Sequence, residues 1–461
     1  MPKPIGYYTA EIVSFCTALH YDMLPEPVVS EAKQITLDLL GAMIAASVPT
    51  YSSTRLLGDL AEAQGGHPEC TIVNRPMKTS CLNAALANGT MGYAADIEGG
   101  IISPLASQHA GAVLVPTAIT VAERQQSTGK DYVTALVIGF EVAGRVGDAA
   151  RTPYSYPHSF HPSALYGHFG AAALAARLLH ADTVELANAL GLAGATAGGL
   201  INWVTDPTEN SRPYVIGIAA QNGVRSALLA KMGYGGPPFI LDPTKYNIYD
   251  AYSGEMHLDR LVEGLGDRFW IMDNLGTKAF AGCLDIHSGL DALLQLLLEN
   301  RLQSEDISAI ELRVKKDRAP VIDNNELKSH NAQYMMAVAA VNGQITPTDI
   351  LLDRRDDPKV REMYGRITLI GDPALDDYAA DRPAVVQVTT TDGRRLIKSV
   401  EWPKGALQNP LTATEWEAKY LSLAAPVMGH ERAAQLSQLV NNLEDLTDTA
   451  ELTELLRPPF D

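Results

Sequence analysis

Gly167-His168-Phe169-Gly170-Ala171-Ala172-Ala173-Leu174-Ala175-Ala176 and, a little further on, Ala187-Asn-Ala-Leu-Gly-Leu-Ala-Gly-Ala-Thr-Ala-Gly-Gly199 are long runs of small and apolar residues with almost no charge. A helix without a polar face has to be enclosed on most sides, and small side chains let neighbouring backbones come close. These stretches predict helices at the centre of a large bundle. Around them, from about Ala10 to Gly266, apolar residues recur at three- and four-residue spacing, as in Val28, Ala32, Ile35, Leu39 and Ala42.

The pattern changes after Trp270. Ile310, Leu312 and Val314 alternate with polar residues, Ile367 and Leu369 do the same, and Val386 to Trp402 reads as a hairpin about Asp392-Gly393. Helical spacing is embedded at Ser288 to Asn300, with Leu290, Leu293, Leu294 and Leu297 on one face, and at Asn331 to Val341. Helices return at Thr412 to Leu423 and at Glu431 to Leu443. A chain of 461 residues exceeds what one hydrophobic core usually holds. The expectation is a mainly α protein: a large helical domain from both chain ends, residues 1–270 and 403–461, and a smaller α+β domain, residues 271–402.

With 46% apolar and 20% charged residues the whole chain should fold. A net charge of −18, with no clustered Lys/Arg surface, argues against nucleic acid as a partner but leaves room for an anionic small substrate in a locally cationic pocket. Cys16, Cys70, Cys81 and Cys283 are spread without zinc spacing or a disulfide framework. The opening Met1-Pro-Lys-Pro-Ile5 lacks the features of a secretion signal, and no apolar run approaches membrane-spanning length. A cytoplasmic enzyme with no membrane partner is expected. Glycine-rich phosphate loops, GxSxG and HExxH are missing, so no metal and no organic cofactor is called for.

The chemistry gathers in Asn88-Gly-Thr-Met-Gly-Tyr-Ala-Ala-Asp96-Ile-Glu98 and Gln108-His109-Ala-Gly-Ala-Val113. Glu98 taken alone serves equally as a capping acid of a loop. Asp96 sits in a run poor in solvent-facing residues, where a carboxylate has to be paired or perturbed. His109 and His161 each precede an apolar helix, and Pro162 suits a first helical turn. A helix N-terminus disfavours a protonated imidazole, which would let either serve as a base near neutral pH. His158 and His168 compete with His161, and His168, set among Gly167, Phe169 and Gly170, reads as a packed helix residue. Lys278, in Thr277-Lys278-Ala-Phe280, and Arg212, in Asn210-Ser211-Arg212-Pro213, are the candidate cations for a carboxylate.

In order and spacing, Asp38-Leu-Leu-Gly41, Ala84-Ala-Leu-Ala-Asn-Gly-Thr-Met91, Asp96-Ile-Glu98, His109-Ala-Gly-Ala-Val-Leu-Val-Pro116, His161-Pro-Ser163, Gly167-His-Phe-Gly-Ala-Ala172, Ala219-Ala-Gln-Asn-Gly-Val224 and Lys278 with His287 downstream resemble the MmgE/PrpD family over nearly the whole chain. The resemblance implies an all-helical domain with an α+β lid domain, a homodimer, and a pocket at the domain junction. It implies action on a small organic acid without metal or organic cofactor, by moving a proton at carbon next to a carboxylate. Asp96, His109, His161 and Lys278 fall on the family's catalytic pocket positions, and Glu98, Gln108 and Arg212 are taken as substrate-binding.

Four departures matter. Glu98-Gly-Gly100 stands where lyases of the family have Asp-Asp-Thr after the Asp-Ile pair, and Asn210-Ser-Arg212 stands for Met-Thr-Lys. Lys278-Ala-Phe-Ala281 replaces Lys-Pro-Tyr-Pro, and Val338 occupies the place of a tyrosine. These changes remove polar contacts while keeping the proton-transfer groups, which points to a different, less anionic substrate. The expected function is a lyase, dehydratase-like, or an isomerase, epimerase-like. One histidine would abstract the proton and the other donate it, Asp96 would orient an imidazole, and Lys278 with Arg212 would stabilise the anion. The alternative is a noncatalytic relative that binds a carboxylate metabolite.

Overall fold

The structure is a computed structural model that describes residues 6–102, 108–151, 158–273 and 276–459. Residues 1–5 and, within the expected second domain, 274–275 lie outside the described residues. The fold is mainly α, with small sheets. Internal contacts divide the chain into two compact units, Met1–Leu275 with Thr414–Asp461, and Gly276–Ala413. No described helix is long and apolar enough to cross a membrane.

The first unit runs through α1 (Tyr7–Ala18), α2 (Glu26–Ala46), α3 (Ser52–Gln64), α4 (Cys81–Ala94), α5 (Ala110–Gln125), α6 (Gly129–Ala149), α7 (Pro162–Leu178), α8 (Thr183–Thr196) and α9 (Ser211–Lys231). Short elements follow at α10 (Ile248–Tyr252) and α11 (Trp270–Asp273). Helix α7 is buried along nearly its whole length, as its composition demands. It packs against α5, α6, α8 and α9, and α9 in turn packs on α4.

Helix α8 departs from the expectation of enclosure. Leu186, Ala189, Leu190, Gly191, Ala193 and Gly194 are buried, but Ala195 and Thr196 are exposed. Its small residues serve close approach on one side: a Cβ on Gly191 would lie 2.3 Å from the Pro237 carbonyl oxygen, and one on Gly194 2.5 Å from Ile240. The same logic joins α4 to α9, where a Cβ on Gly217 would stand 2.5 Å from the Leu86 oxygen and 2.3 Å from Thr90 Oγ1.

Two short ladders belong to this unit, β1 (Cys70–Thr71) with β2 (Lys78–Thr79), and β3 (Ile101–Ile102) with β4 (Gln108–His109). Gly233, at φ +86°, lies in the turn that ends α9, residues 234–237 are irregular, and a further turn begins at Pro238.

The second unit holds one four-stranded sheet in the order β6-β5-β7-β8, with β5 at Ile307–Val314, β6 at Ile367–Gly371, β7 at Ala384–Thr390 and β8 at Arg395–Val400. Strand β5 pairs parallel with β6 and antiparallel with β7. The β7–β8 hairpin turns at Asp392-Gly393, with Gly393 at φ +87°. Helix α12 (Leu284–Asn300) covers β7 and β8 and also meets α14 (Ala332–Asn342). Between and after them run α13 (Ala319–Ile322), α15 (Pro347–Leu351) and α16 (Pro358–Tyr364). The chain then enters α17 (Ala413–Met428), α18 (His430–Asn441) and α19 (Ala450–Leu455), and α18 packs on α2.

Candidate active site

Four helix ends meet in the first unit. Tyr93 is in the last turn of α4, His109 immediately precedes α5, His161 immediately precedes α7, and Arg212 is in the first turn of α9. Neither His109 nor His161 caps its own helix through its side chain. The sequence therefore places two imidazoles at helix starts without committing their rings to local capping.

Tyr93 is the hub. Its ring centre lies 5.2 Å from that of His109 and 5.8 Å from that of His161. The guanidinium carbon of Arg212 stands 4.8 Å from the same ring centre, a cation over an aromatic face. Trp203 also meets the His161 ring, edge-on with centres 5.7 Å apart. Tyr93 lies inside the stretch singled out from the sequence, three residues before Asp96, yet its role has no sequence signal of its own. Trp203, in a short 3₁₀ turn far along the chain, has none either.

The acids divide between two partners. Glu98, fully buried, brings Oε1 to 3.4 Å from His109 Nδ1. Asp96, 3% exposed and held at φ +52°, brings Oδ1 to 3.4 Å from Arg212 Nη1. The carboxylate seen at an imidazole nitrogen is thus that of Glu98, whereas the sequence reading gave that place to Asp96. The backbone N–H of His109 donates to Ser163 Oγ at 2.8 Å, tying the start of α5 to the first turn of α7.

Burial sets the electrostatics. It lowers the pKa of His161 to about 3, and the neighbouring His109 and Arg212 push the same way. His161 is therefore neutral through the physiological range, and its buried Nδ1 makes no hydrogen bond among the described residues. Burial opposes the charge on Arg212, but Asp96 and the other acids nearby outweigh it and hold the group above its ordinary value. Tyr51, buried close by, is raised by burial and by Asp96 against the opposing pull of Arg212.

Gln108 is fully buried. It is adjacent to His109 on β4 but on the opposite side of the strand, and its Nε2 donates to the Ala143 oxygen of α6 at 2.9 Å. His168 is a packed helix residue, with Nδ1 2.6 Å from the Ala164 oxygen and Nε2 3.3 Å from Asn222 Nδ2. His158 is exposed. Lys278 belongs to the second unit, where it is 2% exposed rather than solvated like an ordinary lone lysine. Near it in sequence, His287 in the first turn of α12 faces Phe280 edge-on at 5.5 Å. Among the described residues no group of three or more His, Cys, Asp or Glu is arranged to hold a metal ion.

A buried cluster of two imidazoles, two carboxylates and a guanidinium at helix ends, in a mainly α unit followed by an α+β unit, is the setting in which known proteins match. Residues 10–261 match the MmgE/PrpD N-terminal domain and residues 280–445 the MmgE/PrpD C-terminal domain, and the chain belongs to the MmgE/PrpD family. It is 26% identical over 474 residues to cis-aconitate decarboxylase of Homo sapiens, covering 97% of this chain and 94% of that protein. It is 25% identical over 482 residues to cis-aconitate decarboxylase of Aspergillus terreus, covering 98% and 96%. Similarity to 2-methylcitrate dehydratase of Cupriavidus necator is 30% over 257 residues, half of each chain at 50% and 51%.

Proposed function

We propose that this chain is a lyase or isomerase that removes a proton from carbon next to a carboxylate or carbonyl of a small organic acid. The observation that carries the reading is the fully buried Glu98 beside Nδ1 of His109. A carboxylate there can only accept a hydrogen bond, so it favours the tautomer with the proton on Nδ1 and leaves the Nε2 lone pair for a substrate proton. It also stabilises the imidazolium that forms when the ring takes a proton.

His161 takes the complementary role. An imidazole held neutral to about pH 3 is a poor base at neutral pH, and it can instead donate an N–H to the oxygen on which charge develops. Arg212, offering a planar fork, binds a substrate carboxylate, with Asp96 keeping its guanidinium in place. The family resemblance implies the role of a second cation for Lys278. Names of the relatives, a decarboxylase and a dehydratase, support lyase chemistry on an organic acid. The departures at Glu98-Gly-Gly100 and Val338 favour a substrate other than cis-aconitate or methylcitrate.

The test is incubation in deuterated water with hydroxy-, amino- and unsaturated di- and tricarboxylates. Elimination produces an alkene absorbance, whereas epimerisation incorporates deuterium and changes optical rotation without one. His109→Ala should abolish either signal; turnover retained in both His109→Ala and His161→Ala overturns the mechanism. Thermal stabilisation by a carboxylate with no turnover of any hit would establish a binding protein instead.

A further inference from the structure

The loop that carries Asp96 and Glu98 is held from outside the cluster. Asp38, buried on α2, accepts the backbone N–H of Gly99 on Oδ2 at 2.6 Å. Lys419, on α17 and 381 positions away, donates from Nζ to Asp38 Oδ1 at 2.5 Å and to the Ile97 oxygen at 2.8 Å. Peptide groups on both sides of Glu98 therefore end on one buried ion pair. On the far side of the loop, Gly100 at φ +77° lies so close to α5 that a Cβ would stand 2.7 Å from Gly111 Cα, and its oxygen accepts from the Gly111 N–H at 3.2 Å.

A buried ion pair is poor value as a stabiliser, since apolar replacements of similar volume are often as stable or more so. Its geometry here serves orientation. We infer that Asp38 and Lys419 are positioning residues that clamp the loop so that Glu98 faces His109, and through Glu98 determine which nitrogen of that imidazole carries the proton. The catalytic part of this inference rests on His109 being the base. The clamp itself does not, so the two can fail separately.

The experiment reads the tautomer directly. Imidazole ¹⁵N shifts of His109, assigned with His109→Gln, are followed upward in pH until they stop changing, and the tautomer is read on that plateau, where the ring is neutral. In the wild-type chain the Nδ1–H form should dominate. Lys419→Met and Asp38→Asn should raise the Nε2–H form from minor to major, and Lys419→Arg should restore the wild-type balance. Lys33→Met is the control: Lys33 on α2 pairs with Glu444, also in the C-terminal segment, and its loss should lower stability without moving the tautomer. If a single variant does not fold, the Asp38→Asn/Lys419→Met double variant, which leaves no lone buried charge, carries the test. An unchanged His109 tautomer in a folded clamp variant overturns the inference. A shifted tautomer with unchanged deuterium exchange leaves the clamp standing and overturns His109 as base.

Discussion

Arg212 reaches Asp96 with Nη1 3.4 Å from Oδ1, and both side chains are almost wholly out of water. Removing one charge of such a pair costs more than removing both, because the remaining charge stays buried. Arg212→Met should therefore destabilise the protein by about 3–5 kcal/mol. The Asp96→Asn/Arg212→Met double variant should recover a large part of that loss in urea unfolding. A double variant as unstable as the sum of its singles would show that the two groups do not depend on each other.

Glu98 offers a sharper functional prediction, because Glu98→Gln keeps volume and removes only the charge at His109 Nδ1. Turnover should fall by about 10²–10⁴, the usual span of a general-base contribution, with little change in KM. Circular dichroism should match wild type. A loss confined to KM would place Glu98 on the substrate rather than behind the imidazole.

Acid stability follows from two buried imidazoles. Burial lowers His161 to about 3 and His168 to about 4, the latter despite the Ala164 carbonyl pulling it up. Between these values and the ordinary histidine pKa the unfolded chain binds protons that the folded chain refuses. Stability is then present at neutral pH and lost as pH falls through that window, each group adding a slope of about 1.4 kcal/mol per pH unit. His168→Gln should make unfolding free energy flatter against pH by about that amount between about pH 4 and 6.5, leaving only the His161 slope below it. Parallel wild-type and variant lines would contradict the assignment.

At the α4–α9 crossing, Gly217→Ala has no room, since the added carbon meets the Leu86 oxygen and Thr90 Oγ1. Overpacking of a tight contact costs about 1–3 kcal/mol, and here the obstacle includes backbone. A lowered melting temperature should accompany reduced turnover, because this crossing joins the helices that present Tyr93 and Arg212. Gly198→Ala, where a Cβ meets nothing within 4 Å, should leave both nearly unchanged.

Much of the site was legible before any coordinates. Pro162 after His161 and the apolar run after His109 announce helix starts, and both helices begin there. Asp392-Gly393 marks a hairpin that forms at those residues. Such signals are local: a proline's fixed φ, a glycine's freedom and hydrophobic spacing act within a few residues. Composition misled at α8, because small uncharged residues signal close approach on one face as well as full enclosure.

By itself the sequence determined the helices, the hairpin, the membership of the family and the residue types able to move a proton. Only the tertiary structure decided who faces whom: Glu98 against His109, Asp96 against Arg212, Tyr93 between both imidazoles, and Lys419 on Asp38. Those pairings depend on how helices distant in the chain cross and how deeply they bury their ends. A charge's partner is set by that packing, and spacing along the chain carries no record of it.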